Sequence, residues 1–398
     1  MKKPSLSWLL LCVAACLAAP VRAQDSNSII AQKANIVVDD DKVQCPTATF
    51  TSIQQAVDAA SPGAVIRVCP GTYMEQVMIN KPLTILGDNG AVVIPSNMTA
   101  NASDTSSGES IAAIILVENT DGVEIRGLIV DGSKNGITQC APRLVGILYE
   151  NASGRAAHNA VRHVRLAPSL PGCQSGNAIE VETSGGGESN VAIHQNSVWD
   201  YQKNGITGNE TGTDVTITGN VVTGIGPTAG AAQNGVQVGF GATGAVTGNT
   251  VSGNVWSPCV SEDQCDANGT GILVFESNGV RVNNNSVGTN QVGIFIGGNH
   301  GRVRENTVFN STVLFGVVLM GNGNDATNNQ VMHSDAAGIL IQGNNNSAVA
   351  NQITDADVGI LKITGSSGTT LAANRFFATL LSVEDPAPGK PIAVKPAR

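Results

Sequence analysis

Basic residues are scarce in this chain. Lysine and arginine number 22 against 31 acids, a formal net charge of −9. That balance argues against a nucleic-acid partner, because neutralising phosphate requires basic surface. An acidic polysaccharide would likewise need a local basic patch or a bridging cation. Charged residues make up only 13% and aromatics 4%, yet hydrophobics hold at 41%, so the scarcity is not that of a disordered chain. No apolar run after residue 23 is long enough to cross a membrane, which excludes a transmembrane segment there. His158, His163, His194, His300 and His333 are scattered over turn positions, which gives no support to a copper or zinc cluster. No cysteine pair has the spacing of a zinc site.

The opening stretch MKKPSLSWLLLCVAACLAAPVRAQDS reads as a secretory signal over residues 1–23, cleaved after Ala23. The sequence VAAC at Val13–Cys16 resembles a lipoprotein processing box. A secreted or periplasmic protein is therefore expected, with a lipid-anchored envelope protein as the alternative. Processing removes Lys2, Lys3 and Arg22 and no acid, so the remainder is more acidic. Cys45, Cys69, Cys140, Cys173, Cys259 and Cys265 remain, and export favours disulfides among them, although sequence alone does not fix their connectivity.

Glycine is abundant, with 46 residues, and from Gly205 the chain repeats itself. The stretches GVQVGFGATGAVTGNTV, GILVFESNGVRVNNNSV, GIFIGGNHGRVRENTV and GILIQGNNNSAVANQI share one pattern. Gly–apolar–x–apolar is followed by a short polar turn, apolar–x–apolar, two residues, Asn, x, apolar. Aligned asparagines fall at Asn196, Asn220, Asn249, Asn285, Asn306, Asn329, Asn351 and Asn374, at spacings of 24, 29, 36, 21, 23, 22 and 23. Three short strands that alternate with period two, repeated near 22 residues, indicate a solenoid, and no helical periodicity supports a leucine-rich repeat. Asparagine tolerates the left-handed corner such a coil needs, and its side chains can bond along the axis.

This repeat resembles the right-handed parallel β-helix proteins of the pectin-lyase-like superfamily. So does the segment FTSIQQAVDAASPGAVIRVCPGTYMEQVMINKPLTILG, in which Ile53, Ala56 and Val57 share one face of a short helix with Thr51 or Ser52 as N-cap. The resemblance implies an all-β, single-stranded right-handed parallel β-helix of about 10–12 coils, plugged at one end by that helix. The expected organisation is a signal peptide (1–23), an N-terminal extension (24–44), the β-helix (45–380) and a Pro-rich C-terminal tail (381–398). The fold hosts lyases, hydrolases, esterases, epimerases and inert binding proteins, so it does not choose an activity. NTDG at Asn119–Gly122 matches a polygalacturonase element but lacks its companions, and the DPHD of alginate epimerases is missing.

Aligning the first strand of each coil gives two outward columns. One runs Leu116, Leu148, Glu180, Thr207, Gln237, Leu273, Phe295, Val318, Leu340; the other runs Glu118, Glu150, Glu182, Asn209, Gly239, Phe275, Gly297, Met320, Gln342. Like charges on successive strands repel, so Glu118, Glu150 and Glu182 call for shared protons, a nearby cation or a bound metal. Oxygen ligands in this number suit calcium. The plain alternative is a solvated acidic face. The later, apolar half of this face is expected to be covered by the tail or the preceding loop, or to serve self-association.

Long early loops, at 131–145, 167–177, 200–204, 223–234 and 252–270, stack into a wall beside this face. Cys140 and Cys173 lie in adjacent loops and Cys259 and Cys265 within one, so the pairs expected are 45–69, 140–173 and 259–265. Trp199, Tyr201 and Trp256 sit at the loop edges, where they would either stack on sugar or pack the loops. In the lyases and hydrolases that the chain resembles, the substrate groove follows this strand and wall. A polysaccharide is thus the expected partner, with Asn209 and Gln237 as further contacts. A uronate lyase would take Lys203 as base, with Arg143, Arg162 or Arg165 as alternatives. A glycosidase would use Glu180 with Glu182 at the larger carboxyl separation or Glu150 with Glu182 at the smaller, and Asp200 completes the candidate catalytic set. The competing reading is a non-catalytic carbohydrate-binding, adhesive or scaffold protein.

Overall fold

The computed structural model describes residues 35–104, 107–259, 265 and 267–384. The expected signal peptide, and the part of the tail proposed to cover the apolar face, lie outside these residues. The described chain is a right-handed parallel β-helix. Its second strands, among them Val123–Arg126, Gly154–Ala157, Ser189–His194 and Thr213–Thr218, line up in one 13-stranded sheet. The first and third strands of the coils form the other sheet system. Pairing is parallel from coil to coil; the short strand Ala102–Ser103, antiparallel to Ser110–Glu118, departs from this rule. Parallel pairing starts before Cys45, because Ile36–Val38 adds to Ala64–Val68, and it continues past residue 380, because Leu381–Glu384 pairs with Gln352–Lys362. Both short segments lie outside the asparagine-marked repeat, so the repeat underestimates the solenoid at each end.

The helix Ile53–Ala59 buries Ile53, Ala56 and Val57. Ser52 is its N-cap, accepting a hydrogen bond from the Gln55 amide. Glu75 adds a second cap: its carboxylate accepts from the Ile53 amide at 2.7 Å and the Gln54 amide at 3.0 Å. A negative charge at these free N–H groups is favourable as well as bonded.

The interior is a stack of aliphatic side chains, such as Ile147, Ile179, Ile206, Val236 and Ile272, all fully buried. Each such burial contributes about 1.5–3 kcal/mol, which makes the axial stack the main source of stability. The leading glycine of the repeat has a steric cause. A Cβ at Gly146, Gly205 or Gly235 would lie 2.4, 2.5 or 2.7 Å from the carbonyl oxygen of the next coil. At this position strict alternation slips: Leu144 points inward and Val145 outward, and then Ile147 points inward and Leu148 outward.

The asparagines form a continuous buried ladder. In each step Oδ1 accepts both the backbone N–H and the Nδ2–H of the preceding asparagine, as for Asn196 on Asn220 at 2.9 and 3.0 Å. The left-handed corner belongs to the residue before each asparagine, including Gln195, Glu305 and Ala350 at φ of 55°, 57° and 56°. The asparagine itself supplies the side-chain bonds. The ladder starts one coil earlier than the repeat suggests, at Asn159, whose amide donates to Asn196 Oδ1 at 2.9 Å. The long loop in that coil hides this member from a period-based reading. Disulfides join Cys45 to Cys69, Cys140 to Cys173 and Cys259 to Cys265.

Asn249→Ala would strip the acceptor from two N–H donors of Asn220, at about 1–3 kcal/mol for each buried group left unpaired. Its thermal transition is expected well below that of the wild type. Asn322→Ala, in an exposed turn row, is expected to shift the transition far less; equal shifts would show that the ladder carries no special share of stability.

Candidate functional site

The outward face of the first strands carries the register that the glutamates require. Glu118 pairs with Glu150, Glu150 with Glu182, and Glu182 with Asn209; one column over, Leu116, Leu148, Glu180, Thr207 and Gln237 follow in line. The glutamates are not a solvated row. Glu180 is 0% exposed and Glu182 4%; Glu150 is also buried, while Glu118 is partly so.

The nearby cation is Arg143, at the start of the strand Arg143–Glu150. Its Nη1 donates to both oxygens of Glu180 at 2.7 Å, and its Nη2 reaches Glu182 Oε2 at 3.3 Å. Asn177 Nδ2 adds a bond of 3.0 Å to Glu180. Burial opposes the charge on Arg143, but Glu180 and Glu182 outweigh it and hold its pKa above the ordinary value. One cation cannot neutralise two carboxylates. Burial first, and then the charge of Glu180, push Glu182 up to about 8, with Asp104 and Glu150 adding to the rise against Arg143. Glu182 is therefore protonated at neutral pH, and its Oε1 is buried without a hydrogen-bond partner. Glu150 is also raised, chiefly by burial, and accepts the Ser184 hydroxyl at 3.0 Å. The repulsion is thus relieved by a guanidinium and a retained proton.

Three coils give this face a polar stretch. Asn177, Asn204 and Asn234 are stacked in register beside Glu180, Thr207 and Gln237, and these beside Glu182, Asn209 and Gly239. Asn234 Nδ2 donates to Asn204 Oδ1 at 3.0 Å and to Gln237 Oε1 at 3.1 Å, and Gln237 Nε2 donates to Asn209 Oδ1 at 3.0 Å. Asn177 Oδ1, Thr207 Oγ1 and Asn234 Oδ1 join Glu182 Oε1 as buried atoms without partners. Apolar groups flank the stretch: Val145, Leu116 and Leu148 precede it, and Leu273, Val292, Phe295, Val318 and Leu340 follow. Those later side chains are themselves out of water, so they form no exposed apolar patch. The asparagine column escaped the sequence reading because the glycine slip puts it three residues, not two, before the next outward position. The signal was present in the Asn that opens NAIEVE, NGITGN and NGVQVG.

The wall residues sit apart from the glutamates. Asp200, at a left-handed corner after Ser197–Trp199, meets His163 Nδ1 and, at 3.0 Å, Arg165 Nε. Lys203 is buried, donates to the Ala232 carbonyl at 3.1 Å, and is pushed down to about 8 by burial. Tyr201 is not a sugar-stacking ring: it is fully buried, with its hydroxyl donating to Asn254 Oδ1 at 2.6 Å. Trp256 packs the loops, donating from Nε1 to the Gly230 carbonyl at 3.1 Å. Trp199 is partly buried and lies 5.9 Å from the Arg162 guanidinium.

Among the described residues, the sets of three or more potential ligand atoms lying within 4.8 Å of one another are Asp39, Asp40 and Asp41, and Cys45, Cys69 and Asp88. Neither set contains a ladder glutamate. With Arg143 already against Glu180 and Glu182, the residues do not fit a calcium site of three converging carboxylates.

Glu182 gives the stability a pH dependence of definite sign. Between the ordinary value of 4.5 and about 8, the folded chain keeps a proton that the unfolded chain has released. The stability this group contributes is full below pH 4.5 and is lost as the pH rises towards 8. Glu182→Gln is expected to flatten that slope in denaturant midpoints measured across the range; an unchanged slope would place the proton elsewhere.

Residues 228–388 match the model of a family described as periplasmic copper-binding protein (NosD). No histidine enters the ligand sets above, so the described residues do not fit a histidine-containing copper centre of three or more ligands. A cell surface glycoprotein of Methanothermus fervidus is 41% identical over 91 residues, 22% of this chain; the match spans 13% of that protein. Three solved structures are similar. The A-module of mannuronan C-5 epimerase AlgE4 from Azotobacter vinelandii covers 86% of this chain and 95% of its own at 13% identity, with a TM-score of 0.55. A GH136 lacto-N-biosidase from Eubacterium ramulus covers 86% and 67% at 12% identity, with a TM-score of 0.55. A DFA-IIIase from Arthrobacter chlorophenolicus A6 covers 85% and 94% at 14% identity, with a TM-score of 0.53. What this chain shares with these three carbohydrate-active proteins is the fold, and on that ground it is a right-handed parallel β-helix protein.

Proposed function

We propose that this protein acts outside the cytoplasm and engages a polysaccharide along the polar stretch of its first strands, between the glutamates and the loop wall. The observation that carries this reading is the polar stretch itself: Glu180, Glu182, Thr207, Asn209, Asn234 and Gln237 stand in register on three coils, with apolar side chains of the same face on either side. Sugar hydroxyls both donate and accept hydrogen bonds, as the amide and carboxyl groups of this stretch do. Glu118 and Asn209, both partly exposed, form the accessible margin. The carbohydrate-active neighbours and the disulfides support the same reading.

A cleavage reading has one observation in its favour. Glu182 holds a proton near neutrality, and Glu150 is its in-register neighbour. Strands about 4.8 Å apart bring two carboxyl groups near the separation of about 5–5.5 Å used by retaining glycosidases. In that case Glu182 is the acid and Glu150 the second carboxylate, while Glu180, held by Arg143, orients them.

The test is a panel of neutral and acidic polysaccharides, scored for binding and for released products. Asn209→Ala, at the accessible margin, is expected to weaken the bound glycan at least tenfold without loss of fold. Glu182→Gln is expected to abolish turnover, if there is turnover, while binding persists. Wild-type protein that binds no glycan would overturn the proposal. Calcium titration belongs beside it: binding lost in both Glu150→Gln and Glu182→Gln would reinstate the three-carboxylate calcium site.

A further inference from the structure

The chain as a whole is acidic, yet one part of the loop wall is basic. Arg162, His163 and Arg165 fall within four residues at the end of the strand Ala160–Arg162, and Lys134 is in the preceding long loop. The acids that face them are Asp131, paired with Arg162 at 2.7 Å, and Asp200, which meets both His163 and Arg165. Asp200 is thus shared between His163 and Arg165.

A cavity of about 340 Å³ opens there, lined by Ser133, Asn135, Thr138, His163, Arg165 and Leu166 among others. This is at the small end of the range of about 300–1,000 Å³ typical of ligand sites. Its walls are two successive long loops, and the fold fixes both. Asn135 Nδ2 donates to the Gly132 and Arg165 carbonyls at 2.8 and 3.0 Å. The Leu166 amide donates to Gln202 Oε1 at 2.9 Å. The Cys140–Cys173 disulfide ties the same two loops together. A cavity held in this way loses little freedom when it is filled.

Arg165 is its charged donor: Asp200 takes Arg165 through Nε, with half of that side chain still exposed, and takes the His163 imidazole through Nδ1, so the other ring nitrogen donates to an anion only when the ring carries both protons. The terminal nitrogens of a guanidinium form a planar fork that matches a carboxylate or a sulfate.

We infer that this cavity is an anion subsite, in which Arg165 and His163 receive the carboxylate or sulfate of a charged sugar. The inference rests on the polysaccharide reading and narrows its ligand to an acidic glycan. It also resolves the sign problem posed by a chain of net charge −9: the charged group of the sugar is received at the wall, away from the glutamates.

The experiment is calorimetric titration of the full chain with an oligouronate, its carboxyl-reduced neutral counterpart and a sulfated oligosaccharide, each also against Arg165→Gln and His163→Gln. The oligouronate or the sulfated chain is expected to bind at least tenfold more tightly than the neutral one. That preference should vanish in Arg165→Gln, fall in His163→Gln and weaken with added salt. Whichever anionic ligand shows the Arg165-dependent gain identifies the group recognised. Both residues are partly exposed, so both variants are expected to keep the wild-type melting transition. Equal binding of neutral and charged oligosaccharides, or a preference that survives in Arg165→Gln, would overturn the anion subsite alone. Binding of no oligosaccharide would overturn the polysaccharide reading, and this inference with it.

Discussion

Parallel register between successive coils is the constraint on which everything else in this protein depends. Ile147 lies against Ile179, which lies against Ile206, and the same spacing that stacks these aliphatic groups inside stacks Glu150 against Glu182 outside. A slip of one residue would turn every glutamate inward. The asparagine ladder enforces the same register from a second position in the coil, because each Oδ1 accepts from the asparagine at the same height in the adjacent coil. The acidic column is therefore a by-product of core packing as much as a surface feature.

That forced proximity explains the chemistry of the site. Two carboxyl groups brought together out of water repel, and Arg143 serves them unequally. Its Nη1 bonds both oxygens of Glu180 at 2.7 Å, while Glu182 has only the longer bond of 3.3 Å, and burial with the charge of Glu180 pushes its pKa up to about 8. Such a buried arrangement is poor evidence for added stability. Carboxyl groups with separated proton affinities on one surface are characteristic of sites where chemistry or tight polar recognition takes place.

The fold was legible from the chain because its determinants are periodic. Gly–apolar–x–apolar, the stacked Asn positions and the helix with Ile53, Ala56 and Val57 on one face each report a local rule. The columns read from those rules match the pairing at every glutamate. What was not legible depended on breaks in the period. The glycine slip concealed the Asn177–Asn204–Asn234 column, and the loop before Asn196 concealed Asn159. Arg143 was visible as a cation but not as the partner of Glu180, because it enters from a strand end that no repeat marks. For Tyr201 the sequence left open whether the ring stacks on sugar or packs the loop, and its full burial decides for packing.

The spacing between ladder asparagines runs from 21 to 37 residues, yet the hydrogen bonds they make scarcely change in length. Most of that variation is absorbed in one arc of each turn, the arc that forms the wall. The molecule thus separates a metronome from a margin. Segments can lengthen, shorten or be exchanged along the margin while the beat that positions Glu150, Glu182 and Asn209 stays in time. An architecture of this kind can acquire a new specificity by rewriting a single loop, without renegotiating the rest of the molecule.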